Sequence, residues 1–190
     1  RVETLVALIV RSWNLFHGNA APPQRRGYLH EMVRRASADG PDVLCLQEIP
    51  VWALPRLDNW SGMHVSAAIT RLPFGPHALA GRVTRLHQGM LRSAVTGQAN
   101  AVLVARGHDV EDLGHERISD RGRERRLVQG VRVAGFGVVA NLHATNELDD
   151  PSVPAAELER ARAFAEAAAR PGEAVVLAGD FNLRRPTLAG

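Results

Sequence analysis

"AVVLAGDFNLRRPTLAG" closes the chain at residues 174–190. An apolar run over 174–178 leads into Gly179-Asp180-Phe181-Asn182. The run has the composition of a strand, and it delivers an acid and an amide to its tip. Asp, Asn and Gly after a strand are turn formers, so Asp180 or Asn182 taken alone reads as turn chemistry. The same placement recurs along the chain, however. One apolar run ends in Trp13-Asn14, a second in Gln47-Glu48 and a third in Asn141-Leu142-His143. Four strand-like segments each end in a carboxylate, an imidazole or an amide. In an α/β sheet such ends can share one rim, where ligands bind.

The rest of the sequence supplies the frame. "TLVALIVRSWNLF" (4–16) begins as a continuous apolar run, the pattern of a strand covered on both faces. "QRRGYLHEMVRRASADG" (24–40) sets Leu29, Met32, Val33 and Ala36 at helical spacing and ends at Gly40-Pro41. "DVLCLQE" (42–48) is a second buried strand. "PHALAGRVTRLHQGMLR" (76–92) has a weaker helical period. "NAVLVAR" (100–106), "RRLVQGVRVA" (125–134) and "GFGVVANLHA" (135–144) read as strands, and the charged "ISDRGRERR" before the second reads as a solvated loop. "PSVPAAELERARAFAEAAAR" (151–170) is an Ala-rich amphipathic helix stopped by Pro171-Gly172. "EAVVLAGDFN" (173–182) is the last strand. Buried strands mixed with hairpin-like strands and flanking helices predict stacked sheets with helices outside.

Composition narrows the class. A chain of 190 residues is long enough to bury a core as one domain, and its 45% hydrophobic, 23% charged make-up is that of a globular protein. No apolar run reaches the roughly 20 residues that span a membrane. All 23 basic residues are arginine, a side chain that binds phosphate bidentately, although 20 acids nearly balance them and leave a net charge of +3. The single cysteine, Cys45, excludes an intrachain disulfide and reads as a small buried hydrophobe.

The residues at the strand ends suggest a chemistry. Glu48 and Asp180 are hard oxygen donors suited to Mg²⁺ or Mn²⁺. His143 is a candidate acid, base or phosphate contact. Asn14 and Asn182 can bond phosphate oxygens or a carboxylate without adding charge. Together they suit metal-assisted hydrolysis of a phosphate ester.

The segments "SWNLFHG" (12–18), "DVLCLQE" (42–48), "NAVLVAR" (100–106), "VANLHAT" (139–145) and "VLAGDFN" (176–182) occur in the order found in the endonuclease/exonuclease/phosphatase superfamily. The chain resembles these deoxyribonuclease I-like, metal-dependent phosphoesterases over nearly its whole length. The resemblance implies an α/β fold, a four-layered α-β-β-α sandwich with its site at one rim of two packed sheets. It implies Glu48 as the principal ligand of Mg²⁺ or Mn²⁺, with Asn14 helping to position metal and phosphate. His143 would contact the scissile phosphate and assist the leaving group. Asp180 would orient or activate the attacking water, and Asn182 would hold a phosphate oxygen. Arg184, beside this set, is a further phosphate-binding candidate.

The superfamily also carries an Asp-His pair near its C-terminus, and no such dipeptide follows Asn182 here. The resemblance therefore implies a single domain over 1–190 that is C-terminally incomplete, lacking one or more sheet strands and nearly inactive by itself. The expected partner is a phosphate ester, nucleic acid among the choices, met by a cytoplasmic monomer. The alternatives are an inactive phosphate- or nucleic-acid-binding remnant of the same fold, or a phosphoesterase of phospholipids or inositol phosphates. The Arg121–Arg126 cluster would either follow a nucleic-acid backbone or form a solvated loop.

Overall fold

The computed structural model describes residues 7–19, 27–74, 95–120, 124–147 and 149–183. Eight strands form two four-stranded sheets. The first sheet contains β1 (Val10–Asn14), β2 (Val43–Ile49), β3 (His64–Arg71) and β4 (Gln98–Val104), in the order β1-β2-β4-β3. The second contains β5 (Val110–Arg117), β6 (Leu127–Val133), β7 (Gly137–His143) and β8 (Ala174–Asp180), in the order β5-β6-β7-β8. In each sheet one edge pair is parallel, β1 with β2 and β7 with β8, and the remaining neighbours are antiparallel. Parallel neighbours need a long crossover, and here each crossover carries a helix. Helix α1 (Leu29–Ser37) joins β1 to β2, and α3 (Ser152–Ala168) joins β7 to β8. A short α2 (Leu57–Ser61) follows a 3-10 turn at Val51–Arg56.

Three apolar clusters fix the layers. Leu29, Val33 and Ala36 of α1 pack on Leu44, Leu46, Ala101 and Leu103, the outer face of the first sheet. Burying Leu29 and Val33 contributes about 2 kcal/mol each. Ala161 and Ala165 of α3 pack on Val138, Ala140 and Leu142, the outer face of the second. Between the sheets lie Val43, Cys45, Val102, Val104, Val131, Val133 and Val139. The order helix, sheet, sheet, helix is the four-layered sandwich. No helix among the described residues is long and apolar enough to cross a membrane.

Several elements differ from the sequence reading. Of the strand expected over 4–16, residues 4–6 lie outside the described residues, and among the described ones the strand covers Val10–Asn14, half-buried because it is an edge strand; Ile9 is 58% exposed. Strands β3 and β5 were not anticipated. Both are sheet edges, β5 mostly exposed and β3 part-buried, and neither shows clean alternation. The "ISDRGRERR" segment is not uniformly solvated, since Ile118, Ser119 and Arg126 are buried. Residues 121–123 of the arginine cluster, the helix expected over 76–92 and Arg184 lie outside the described residues.

Candidate active site

Residues facing the inter-sheet space change character along four of the strands, β2, β4, β7 and β8. On β2 the inward series is Val43, Cys45, Gln47; on β4, read backwards, it is Val104, Val102, Asn100, Gln98. On β7 it is Val139, Asn141, His143, and on β8 it is Val176, Ala178, Asp180. Each series runs from apolar to polar toward the same end, because side chains two residues apart share a face. A cavity of about 490 Å³ opens there, lined by Asn14, Glu48, His143, Asp180 and Asn182 together with Phe16, His17, Gln98, Glu124 and Arg126.

Local backbone geometry aims these side chains. By alternation Glu48 would follow Leu44 and Leu46 to the outer face. A bulge between Leu46 and Ile49, with Glu48 at φ 55°, turns it into the cavity instead. Phe16, His17 and Asn182 also have positive φ. These four are the non-glycine residues at positive φ among those described, and all four line this cavity. Such conformations cost on the order of 1 kcal/mol or more each and concentrate at functional sites. Gly179, before Asp180, adopts φ 143°, and a Cβ there would lie 2.0 Å from the Leu142 carbonyl oxygen. Only glycine lets β8 approach β7 closely where His143 pairs in register with Asp180.

Asn14 joins the two carboxylates. Its Nδ2 donates to Glu48 Oε1 at 3.1 Å and to Asp180 Oδ2 at 2.8 Å. Its oxygen accepts the Phe16 N–H at 2.9 Å, which fixes the amide orientation. Asn14 thus turns its nitrogen, not its oxygen, toward the acids. His143 Nε2 lies 3.7 Å from Glu48 Oε1, and His17 Nε2 lies 3.7 Å from Glu48 Oε2. Asn182 Nδ2 donates to the Ala144 carbonyl at 2.8 Å, tying the tip of β8 to the end of β7. Behind this loop the buried Glu157 of α3 accepts the Thr145 N–H at 2.6 Å and its hydroxyl at 2.7 Å.

Electrostatics follow from burial. Burial pushes the Glu48 carboxyl above its ordinary range, against the Asn14 hydrogen bond and the attraction of Arg126. Burial first, and the Arg126 guanidinium second, hold the His143 imidazole down at about 4, so it is neutral at physiological pH. Burial also pushes the Cys45 thiol up to about 12, consistent with its packing between the sheets.

Glu48 and Asp180 fit a divalent cation by their hard oxygens. Among the described residues no three of His, Cys, Asp and Glu are grouped tightly enough to hold an ion by themselves.

Among the lining residues, Phe16, His17, Asn19, Gln98, Glu124 and Asn146 are not sequence candidates, and Arg126 reads only as part of a basic cluster. Gln98 and Arg126 stand at or just before the starts of β4 and β6, which run antiparallel to their neighbours, so their starts share the rim with the ends of β1, β2, β7 and β8. Looking only at strand ends misses them; antiparallel order is the signal that finds them. Phe16, 54% exposed, belongs to none of the three apolar clusters.

Solved structures share this architecture. TDP2 from Caenorhabditis elegans superposes with a TM-score of 0.59 at 19% identity, over 94% of this chain and 49% of that one. A mannosyl-6-phosphatase from Bacteroides thetaiotaomicron gives 0.62 at 14% identity, over 95% and 67%. ANGEL2, a 2',3'-cyclic phosphatase, gives 0.56 at 17% identity, over 88% and 47%. The chain thus spans about half the length of the TDP2 structure, and at these identities the likeness is one of fold. None of the curated proteins matches the sequence. The family model for the endonuclease/exonuclease/phosphatase family matches residues 12–188, from just before Asn14 to beyond Asn182. With that match joined to the two-sheet sandwich, the chain belongs to the endonuclease/exonuclease/phosphatase family.

Proposed function

We propose that this rim hydrolyses phosphate esters, phosphodiesters foremost, with the aid of a divalent cation. The observation that carries the reading is the Asn14 amide bridging Glu48 and Asp180 within a cavity where the described non-glycine residues at positive φ collect. Family membership supports a phosphoesterase, as do solved relatives described as phosphatases. Glu48, with Asp180 beside it, would hold Mg²⁺ or Mn²⁺, which when bound would offset charge on the phosphoryl oxygens.

The chain's own groups supply the rest. Asp180, held by Asn14, orients the attacking water and draws on its proton. Arg126 brings a buried cation to the cavity, and its Nε has no acceptor among the described residues, so a phosphate oxygen would satisfy it. Asn182 steadies a phosphate oxygen beside the Ala144 carbonyl that anchors it. Phe16, an exposed aromatic at the cavity lining, favours an ester carrying a planar group, as a nucleic acid does.

Hydrolysis of bis-p-nitrophenyl phosphate and plasmid DNA by the protein in its natural full length tests the reading. Product should form with Mg²⁺ or Mn²⁺, stop with EDTA, and be lost in Asp180→Asn. Metal-independent turnover, or none, would overturn it.

A further inference from the structure

We propose that Arg126 and Gln98 are positioning residues that lock His143 as its Nε2–H tautomer, so that the imidazole meets substrate as a neutral hydrogen-bond donor. Arg126 Nη1 lies 3.1 Å from His143 Nδ1, and Gln98 Nε2 lies 3.3 Å from the same atom. A guanidinium carries only donors and stays charged in proteins. Nδ1 must therefore accept, and it carries no proton. Gln98 adds a second donor from the other sheet, since its amide nitrogen too can only donate. A neutral imidazole has one N–H, so that proton sits on Nε2. Nε2 is the atom 3.7 Å from Glu48 and 4.0 Å from Asp180. Both lock residues are buried, at 8% and 5% exposure, so the arrangement is built into the interior.

The consequence is a division of labour. With its lone pair engaged at Nδ1, His143 does not take the proton of the attacking water. It offers an N–H to an anionic oxygen, which in the proposed reaction is an oxygen of the phosphate. That last step rests on the phosphoesterase reading; the tautomer does not.

Long-range ¹H–¹⁵N correlation spectra of the full, ligand-free chain read the tautomer directly, with His143→Gln identifying the signals. The expected pattern is a protonated nitrogen coupled to both ring carbon protons, with a bare Nδ1. A protonated Nδ1 in the parent protein would overturn the proposal. Gln98→Glu, nearly isosteric, places an acceptor at Nδ1 and should move a proton onto it. Arg126→Gln should mix the two tautomers. If Arg126→Gln does not fold, Gln98→Glu carries the test alone, and a tautomer unchanged in it would overturn the role of Gln98. Inorganic phosphate added to the parent should shift the Nε2 resonance. An unmoved Nε2 with the expected tautomer would overturn the phosphate contact while leaving the lock in place.

Discussion

The first sheet and the second carry the same strand plan. Each has a parallel pair joined through a helix, then two antiparallel neighbours. Superposed in thought, Asn14 stands where Asp180 stands, Gln47 where His143 stands, and Gln98 near Arg126. The plan repeats, and the chemistry does not. The first sheet brings neutral amides to the rim, and the second brings an acid, an imidazole and a cation. Glu48 is the exception, and it reaches the rim only through its bulge. The difference teaches that amides from one sheet orient polar groups of the other. Asn14 bridges carboxylates from both sheets, Gln98 reaches His143, and Gln47 Nε2 donates to Asn141 Oδ1 at 2.8 Å.

Activity tests this division most severely. Asp180→Asn should lower hydrolysis by the full-length protein at least about a thousandfold, because groups that act as a unit fail together. Asn14→Ala should cost about a hundredfold, the scale of one lost positioning donor. Equal losses in steady-state assays would erase the distinction between charge and orientation. Glu48→Gln should abolish Mn²⁺ binding in calorimetry, and unchanged binding would remove it as a ligand.

Stability separates two buried amides. Asn141 Nδ2 donates to the Leu46 and Ala101 carbonyls, both at 3.0 Å, and so stitches one sheet to the other. Asn141→Leu strands those groups and should cost about 3 kcal/mol in urea unfolding. Asn100, equally buried, has no partner for either side-chain atom among the described residues. Asn100→Leu should fall within about 1 kcal/mol of the parent, in either direction. A large loss there would reveal a partner.

The second sheet's imidazole gives a pH signature. The folded His143 titrates at about 4, below the ordinary 6.5, so the unfolded chain takes up its proton first. Folding stability should therefore fall as pH drops from about 6.5 to about 4, by up to about 3 kcal/mol from this group. Glu48, with its raised carboxyl, contributes in the opposite sense just above its ordinary value. Comparing parent with His143→Gln isolates the histidine; identical pH profiles would contradict its suppressed basicity. The smallest expected effect is at Cys45, whose thiol should ignore Ellman's reagent until the chain is unfolded.

The parts legible in the sequence are those where a period and a burial coincide. "DVLCLQE" and "GFGVVANLHA" were readable because covered strands are apolar on both faces, and the ordered motifs named the layers. Strands β3 and β5 were not, because edges carry polar residues such as Glu111 and Glu116 without alternation. Asn14, Glu48, His143, Asp180 and Asn182 were legible as chain ends of strands. Their roles were less so: nothing in "SWNLFHG" says that Phe16 would hold the Asn14 oxygen and turn its nitrogen to the acids. Arg126 was hidden in a charged run whose neighbours are exposed, and only the return of β6 beside β7 brings it inward.

The graded layer between the sheets sets where the molecule opens. Its far end is valine and cysteine, with nothing to gain from water, whereas the rim end is held by a handful of side-chain amides. Breathing motions should part the sheets as a book opens, hinged at the valines. Amide hydrogen exchange would record this along single strands, with Val139 protected longest on β7 and His143 least. Solvent would then reach the rim without unfolding the rest, and a bulky ester could enter by the same motion.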